Sequence, residues 1–244
     1  MAEWFAGMKE QFILNFIEKD RWRWLLKGLG NTLLITLFAV LIGIVIGILV
    51  AIIRTTYDKN APLLKRQGGP RYHALKIADM LCRLYLTVIR GTPVVVQLMI
   101  AYYLIFVSAT DGVMVAILAF GINSGAYVAE IFRGGIMAVD EGQFEAGRSL
   151  GFSYTRTMIY VVVPQVFKIV LPTLCNEFIV LLKETSIAGY VGITDLTRGG
   201  DIIRGVTYSA FMPLIAVAAV YLFLVVVLTH LVKRLERRLR RNER

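Results

Sequence analysis

The chain has 244 residues, of which 57% are hydrophobic, and its formal net charge at pH 7 is +10. Soluble domains average about 45–50% apolar residues, so this composition excludes an ordinary soluble protein and indicates an integral membrane protein. The charge does not indicate nucleic-acid binding, which needs a basic face on a soluble domain. Basic residues are instead concentrated in segment 54–76 and in tail 233–244, each beside an apolar stretch.

The first 27 residues predict an amphipathic segment that lies along the membrane interface. Apolar residues recur every four positions from Trp4 through Met8 and Phe12 between charged side chains, which is the spacing of one helical face. Trp22 and Trp24 then alternate with arginines, an arrangement typical of the aromatic belt before a membrane span. Residues 1–27 therefore precede the membrane body.

Transmembrane helices need about 20 apolar residues to cross a hydrocarbon core about 30 Å thick. The candidate spans are 33–53, 74–107, 113–131, 158–182 and 213–232. We therefore predict an all-α integral membrane protein with about five transmembrane helices. Five spans place both basic segments and the polar segment 133–156 on the same side, which is the cytoplasm under the positive-inside rule, and they place the amino terminus outside.

Segment 74–107 is the least regular of these spans. It begins with charged residues and becomes apolar only after Arg90-Gly91-Thr92-Pro93. Proline donates no backbone hydrogen bond and glycine weakens a helix, so these residues predict a bend or break. We predict one long broken helix whose first half lies at or below the cytoplasmic surface; two separate short spans are the alternative.

Two glycines in the first span favour close helix packing. Gly43 and Gly47 are four residues apart, so both lie on one helical face and allow another helix to approach closely. The approaching helix belongs either to this chain or to a second copy.

A polar segment at about 138–156 carries the sequence 145–151, Glu-Ala-Gly-Arg-Ser-Leu-Gly. It predicts a short helix with a small-residue contact face, a glycine stop at its end, and a following span that starts or kinks at a proline. This pattern closely resembles the EAA loop of ABC importer permeases, the coupling helix that docks into the ATPase subunit. An ordinary amphipathic loop helix is the alternative. The candidate ATPase-coupling residues are Glu145, Ala146, Gly147, Arg148, Gly151 and Pro164.

One residue departs from the pattern of that family, which has alanine at the position of Gly147. Glycine is small enough to pack in a groove but costs about 1 kcal/mol in helix propensity relative to alanine. The departure would loosen the coupling helix while leaving Glu145, Ala146 and Gly151 in place.

Three further motifs resemble the permeases of histidine-, glutamine-, arginine- and cystine-type ABC importers, the polar amino acid uptake family. They occur in the order and spacing of that family, and the resemblance covers about residues 30–232. The first is the family signature at the predicted helix break, Arg90, Gly91, Thr92, Pro93 and Gln97. The others are Asn123-Ser124-Gly125-Ala126-Tyr127 with 130–136, and Leu171-Pro172 with 176–178 and 182–186.

The resemblance implies an ABC type I importer-like transmembrane domain over residues 28–232, followed by a basic cytoplasmic tail at 233–244. It implies a permease subunit that translocates polar amino acids across the bacterial cytoplasmic (inner) membrane, surrounded by membrane lipid. The implied partners are two ATPase subunits, a second permease copy or a sister permease, and an extracytoplasmic solute-binding protein. ATP and Mg would be bound by the ATPase, and this chain would bind no cofactor or metal.

The sequence lacks two motifs for catalysis of its own, the G-x-x-x-x-G-K-[ST] phosphate loop and the H-E-x-x-H zinc motif. ATP hydrolysis is therefore expected on a partner. The competing function is a stand-alone secondary transporter or channel for small polar solutes, which the docking loop and the absence of an evident inverted repeat disfavour.

Three polar residues are candidates for the substrate pathway: Asn123, Asn176 and Glu177. A carboxylate in the middle of a span costs about 2.5–3.5 kcal/mol on insertion scales, so Glu177 calls for a role. Together with Asn176 it would meet the ammonium group of an amino acid, with Asn123 as a helper. The alternatives are a structural ion pair of Glu177 with Lys183, Arg198 or a neighbouring helix, or a position in the outer interface.

Two sets of charged residues have the three-residue spacing of ion pairs on a helix. Glu130 and Arg133 predict a local pair at a helix end. The glycine-rich external stretch 189–207 is a hypothetical outer gate or docking surface for a binding protein, and a solvated loop with salt bridges is its alternative. Its charged residues are Asp195, Arg198, Asp201 and Arg204.

Overall fold

The structure is a computed structural model that describes residues 2–67 and 69–241, and the side chains discussed below lie within residues 7–59 and 69–239. The side chain of Trp4 and tail residues 242–244, both part of the predictions above, lie outside the described residues. In the part of the chain that the structure describes, all regular secondary structure is helical. This confirms the predicted all-α fold.

The helices follow one another with short connections. The first part of the chain forms α1 (Ala2–Phe12), a π-helical turn (Ile13–Ile17), α2 (Trp22–Gln67), α3 (Pro70–Gly91) and α4 (Val94–Ile100). The second part forms α5 (Gly112–Met137), α6 (Glu141–Ser149), α7 (Tyr154–Thr157), α8 (Val163–Glu184), a 3₁₀ segment (Thr185–Val191), α9 (Leu196–Thr207) and α10 (Phe211–Arg241).

Four stretches within the described residues are long and apolar enough to cross a membrane, and a broken pair supplies a fifth. They confirm the predicted set, although most extend beyond the predicted limits. The four are Trp22–Lys59, Gly112–Met137, Tyr154–Val191 and Phe211–Leu239, and the broken pair is Pro70–Gly91 with Val94–Ile105.

The break after α3 lies where the sequence predicts it. Thr92 has extended backbone angles of φ −121° and ψ 146°, which is the region favoured by a residue before proline. Pro93 has no backbone N–H to donate, so the helix ends before it. The Thr92 hydroxyl donates to the Val88 carbonyl over 2.8 Å and satisfies an acceptor in the last turn of α3.

The chain folds into two compact units, each assembled from separate stretches. The first comprises Met1–Ala39, Val94–Phe120 and Phe178–Leu231. Within it, α9 begins directly against the first turns of α2: Leu196 donates its backbone N–H to the Thr32 hydroxyl over 3.0 Å. The Asn31 amide donates to the Thr194 carbonyl over 2.7 Å. These bonds satisfy buried backbone groups at the start of α9.

The second unit comprises Val40–Pro93, Gly121–Glu177 and Val232–Arg244. In it α2 packs closely on α5, since a Cβ at Gly43 would lie 2.9 Å from that of Ser124, and one at Gly47 would lie 2.5 Å from Val128. The glycine pair therefore serves packing within this chain. The larger of two apolar clusters beside this contact contains Val128, Val139, Phe144, Val162, Val166, Val170 and Leu174.

Most of the glycine-rich stretch 189–207 is not the solvated loop considered as an alternative. Residues 196–207 form α9, and its Leu196, Gly199, Gly200 and Ile203 are buried. A Cβ at Gly199 would lie 2.6 Å from the Trp24 carbonyl oxygen, so the glycine permits this close contact. Tertiary packing here outweighs the low helix propensity of glycine.

Candidate functional site

The predicted coupling segment forms helix α6 with a cap at each end. At its start the Asp140 carboxylate accepts the Gly142 backbone N–H over 2.6 Å, which satisfies one of the unpaired donors of the first turn. At its end Gly151 adopts φ +78°. Phe152 N–H bonds the Gly147 carbonyl and Gly151 N–H bonds the Arg148 carbonyl, both over 2.9 Å. This Schellman arrangement is the glycine stop expected from the sequence.

One face of α6 is buried and the other is exposed. Phe144, 7% exposed, lies in the larger apolar cluster of the second unit. Gly147 is also buried. Glu145, Ala146 and Arg148 point outward and are exposed. The exposed face of the helix therefore carries two charged side chains and a small one, while the third position of the motif faces the interior of this chain.

Gly147 is required by its neighbour Thr157. A Cβ at position 147 would lie 2.5 Å from both Cγ2 and Oγ1 of Thr157, closer than such atoms can approach. Thr157 is buried, and its hydroxyl donates to the Ser153 carbonyl over 3.2 Å. Gly147, which replaces the alanine of the family pattern, therefore packs against Thr157, whose side chain occupies the space that an alanine methyl group would need.

Aromatic and cationic side chains hold α6 against its neighbours. The rings of Phe144 and Tyr154 are stacked, with centroids 6.0 Å apart and planes at 13°. The Lys59 ammonium, near the end of α2, lies 3.5 Å from the Phe144 ring centroid, a cation–π distance. Beside them is a depression of about 380 Å³ lined by Lys59, Glu141, Phe144, Glu145, Arg148, Tyr154 and Thr157.

Pro164 is the second residue of α8 and lies after a π-helical turn at Met158–Val162. The span itself begins at Tyr154, so Pro164 lies inside it rather than at its start. The proline closely follows the π-helical irregularity, the kind of feature that interrupts a helix locally.

The structure brings the candidate pathway residues of α5 and α8 into the same region of the second unit. The Ser124 hydroxyl donates to Glu177 Oε1 over 3.2 Å. Asn123, next to Ser124, is buried, Glu177 is half-buried and Asn176 is exposed. Ser124 lies in the family motif, but the sequence alone assigns it no role, because a serine beside a packing glycine carries no chemical signal of its own.

The predicted Glu130–Arg133 pair exists, but it is one part of a larger network. Arg133 Nε lies 3.3 Å from Glu130 Oε2. Glu130 Oε1 also lies 3.2 Å from Arg54 and 3.5 Å from Arg90. Arg90, known from the sequence only as a family signature, therefore binds a carboxylate of α5 across the gap between two helices.

The network continues through two aspartates. Arg83 Nε donates to Asp79 Oδ2 over 2.7 Å, and Arg83 also pairs with Asp58 at 3.6 Å. Arg54 Nε and Asp79 Oδ1 are buried and 3.7 Å apart, an ion-pair distance too long for a hydrogen bond. Sequence reasoning missed these partners because most are 25 or more residues apart, beyond the reach of helical spacing.

The hypothetical gate residues of the first unit have two different arrangements. Asp195 is buried and caps α9, accepting the backbone N–H groups of Thr197 and Arg198. Burial raises the pKa of Asp195, although these bonds act to lower it. Asp201 pairs with both Arg198 and Arg204, at 2.7 and 2.5 Å. Hydrogen bonds from Arg204 hold the pKa of Asp201 below its ordinary value.

Gln97 lies on α4 and is half-buried. The structure thus places the signature residues on both sides of the break, with Arg90 in the charged network.

Comparison with known proteins identifies the family. A family model described as "Binding-protein-dependent transport system inner membrane component" matches residues 69–241. The arginine transport system permease protein ArtQ of Bacillus subtilis (strain 168) is 40% identical over 162 residues, which are 65% of this chain and 74% of ArtQ. The glutamine transport system permease protein GlnP of Escherichia coli (strain K12) is 38% identical over 168 residues, 67% of this chain and 77% of GlnP.

Comparison with solved structures also finds ABC transporters. The crystal structure of an amino acid ABC transporter with histidines is 38% identical with a TM-score of 0.77, and the match covers 96% of this chain and 98% of that one. An inward-facing MetNI methionine ABC transporter is 19% identical with a TM-score of 0.73, covering 91% and 99%, and shows the shared fold.

These matches confirm the ABC type I importer transmembrane fold predicted for this chain. The matched relatives are transport permeases rather than enzymes, and the family description places its members in inner membranes, in transport systems that depend on a binding protein. The chain belongs to the binding-protein-dependent transport system inner membrane component family and is a permease subunit of an ABC importer.

Proposed function

We propose that this chain carries a polar amino acid across the bacterial cytoplasmic membrane, with the energy supplied by ATP hydrolysis on two ATPase subunits that bind at α6. One permease unit would consist of this chain with a second copy or a sister permease, embedded in membrane lipid. An extracytoplasmic solute-binding protein would deliver the substrate. This chain would bind no cofactor or metal, and ATP and Mg would be held by the ATPase.

The observation that carries the proposal is the construction of α6. The helix is capped at both ends, buried on the Phe144 and Gly147 side, and exposed at Glu145, Ala146 and Arg148. Such a helix can transmit a push or pull, because its buried face moves with the packed core while its exposed face offers charged groups to a groove. In this proposal residues 145–151 couple ATP hydrolysis to transport, and Gly147 does so by packing α6 against its own chain.

The proposed topology follows from charge. The segment 54–76 and the tail after residue 233 carry most of the basic excess, and α6 is on the same side of the membrane when five spans are counted. The positive-inside rule makes that side the cytoplasm, so the amino terminus lies outside.

The proposed substrate class rests on relatives and on one polar contact. The named relatives transport arginine and glutamine. Glu177 together with Asn176 would meet the ammonium group of the substrate. Glu177 accepts a hydrogen bond from Ser124, which is next to the buried Asn123 along α5. Arg198, Asp201 and Arg204 on α9 would form an outer gate or docking surface, with Asp195 holding the start of that helix.

Co-purification from the native membrane tests the coupling proposal. We expect the tagged chain to recover a P-loop ATPase at about equal stoichiometry, and Glu145→Arg to reduce that recovery strongly, since it reverses an exposed charge. Glu10→Arg is the matched control, an exposed carboxylate of α1 in the other unit. Unchanged ATPase recovery with Glu145→Arg contradicts the docking face. Transport by the ATPase-free chain in vesicles without ATP would instead indicate a stand-alone carrier.

A further inference from the structure

A charged cavity of about 480 Å³ lies along α3 in the second unit. Its wall contains three arginines and one carboxylate among the described side chains. The lining residues are Arg54, Arg83, Leu86, Thr87, Arg90, Gly91 and Glu130. Neither the coupling helix nor the candidate pathway uses this cavity.

The charges around the cavity are not balanced. Four arginines and three carboxylates form the described network, so one positive charge is in excess. Arg83 and Arg90 have side chains 53% and 46% exposed, and the 3.5 Å contact of Arg90 with Glu130 is long for a charged hydrogen bond. Arg83 bonds Asp79 at 2.7 Å through Nε, and its terminal nitrogen lies 3.6 Å from Asp58. The terminal nitrogens of both arginines can therefore donate to an anion with several oxygen atoms, the geometry that arginine binds best.

The same side of α3 continues into an apolar surface. Met80, Leu84, Thr87 and Gly91 are spaced as one row along the helix, and the last two line the cavity. Met80 and Leu84 are 59% and 60% exposed. Because α3 is half of a broken span, such a surface is suited to contact with acyl chains.

We propose that this cavity binds the phosphate group of an anionic glycerophospholipid. Arg83 and Arg90 donate to the phosphate oxygens, and the acyl chains lie along Met80 and Leu84. A ligand with an anionic head and apolar tails matches both surfaces, whereas a free anion matches the cavity alone. The topology proposed above places the site in the cytoplasmic leaflet, but lipid binding itself depends neither on that topology nor on the transported substrate.

Native mass spectrometry of the purified permease complex tests the site, with phosphatidylglycerol and phosphatidylcholine supplied separately. We expect phosphatidylglycerol adducts to exceed phosphatidylcholine adducts on the parent protein. Arg90→Gln should weaken phosphatidylglycerol binding about fivefold, the usual effect of one basic residue at an anionic lipid. Arg90→Lys should retain most of it. Arg71→Gln, an exposed arginine on the first turn of α3, is the matched control and should leave binding unchanged.

Several results would overturn the proposal. Equal binding of the two lipids by the parent protein excludes a headgroup site even if every variant misfolds. Retention of phosphatidylglycerol by well-folded Arg90→Gln places the lipid elsewhere. Binding of inorganic phosphate with no lipid adduct assigns the cavity to a free anion. If lipid binds the isolated chain but not the assembled complex, this face of α3 contacts a second protein in the complex.

Discussion

Gly147 and Thr157 are packed so closely that a Cβ atom at position 147 would lie 2.5 Å from both Cγ2 and Oγ1 of the threonine. The contact joins α6 to the helix that follows it. Gly147 lies on the buried side of α6, so this contact concerns how α6 packs within its own chain.

Replacing Gly147 by alanine is expected to destabilise the protein, even though alanine is the better helix former. Overpacking costs about 1–3 kcal/mol, which exceeds the gain of about 1 kcal/mol in helix propensity. Thr157→Ala removes both atoms that lie at 2.5 Å, so Gly147→Ala/Thr157→Ala should be more stable than the sum of the single changes predicts. Thermal unfolding of the four proteins in detergent gives this coupling energy. Additive effects, or a Gly147→Ala protein as stable as the parent, contradict the close fit.

Lys59 is expected to restrain α6 through its contact with the Phe144 ring at 3.5 Å. A cation–π contact at an exposed site contributes about 0.5–1 kcal/mol, so Lys59→Met should raise hydrogen exchange of the α6 amides about two- to fivefold. Lys59→Arg keeps a cation over the ring and should exchange as the parent does. Lys76→Met, an exposed lysine on α3, is the control. Equal protection of α6 in Lys59→Met and the parent would show that the contact stabilises nothing.

Glu177 is expected to be needed for transport if it meets the substrate. Glu177→Gln keeps the size of the side chain and an acceptor for the Ser124 hydroxyl, but it removes the charge that pairs with an ammonium group. Loss of a hydrogen bond to a charged group costs about 1.5–3 kcal/mol, so uptake at low substrate concentration should fall about tenfold or more. Uptake in proteoliposomes with the ATPase and the binding protein measures this. Glu236→Gln, on α10, is the control, and unchanged uptake with coupled ATPase activity intact contradicts the role.

Asp201 is expected to stabilise α9 only when it is ionised. Its pKa is held below the ordinary value of 3.8, chiefly by hydrogen bonds from Arg204. A lowered carboxyl pKa stabilises the folded state above the ordinary pKa, and this contribution disappears as the pH falls through the lowered one. Asp201→Asn should therefore lower the Tm at pH 7, because it removes about 0.2–1 kcal/mol of folding free energy, the contribution typical of surface ion pairs.

The Tm difference between the parent and Asp201→Asn should shrink as the pH falls below 3.8. Differential scanning fluorimetry from pH 7 to pH 3 measures it. Asp111→Asn is the control, a carboxylate in a turn that accepts the Val113 backbone N–H. A difference that stays constant or grows toward low pH would mean that the ion pairs of Asp201 are not its cause.

Local features were predictable where a single residue type carries the physics. Pro93 removes a backbone donor, and the break after Gly91 occurs where it was expected. Gly151 stops α6 for an equally local reason, its positive φ. The membrane spans were predictable because their length is set by the bilayer rather than by contacts with other helices.

Contacts between distant residues were not predictable. The pair of Glu130 with Arg133 follows from helical spacing, but its pairs with Arg54 and Arg90 depend on how three helices pack. Dependence on distant contacts also explains why the helix α9 was not predictable. Its glycines disfavour a helix locally, and only the cap from Asp195 and the close approach of Trp24 to Gly199 reveal why the helix forms there.

The sequence by itself determined the all-helical membrane fold, the capped helix α6 and the family, because hydrophobic length, capping residues and motif spacing act over short stretches of chain. Only the tertiary structure decided which side of α6 is buried, why position 147 must be glycine, and how seven charged residues share one network. Those properties depend on distances between residues far apart in the chain, and such distances are set by the packing of whole helices.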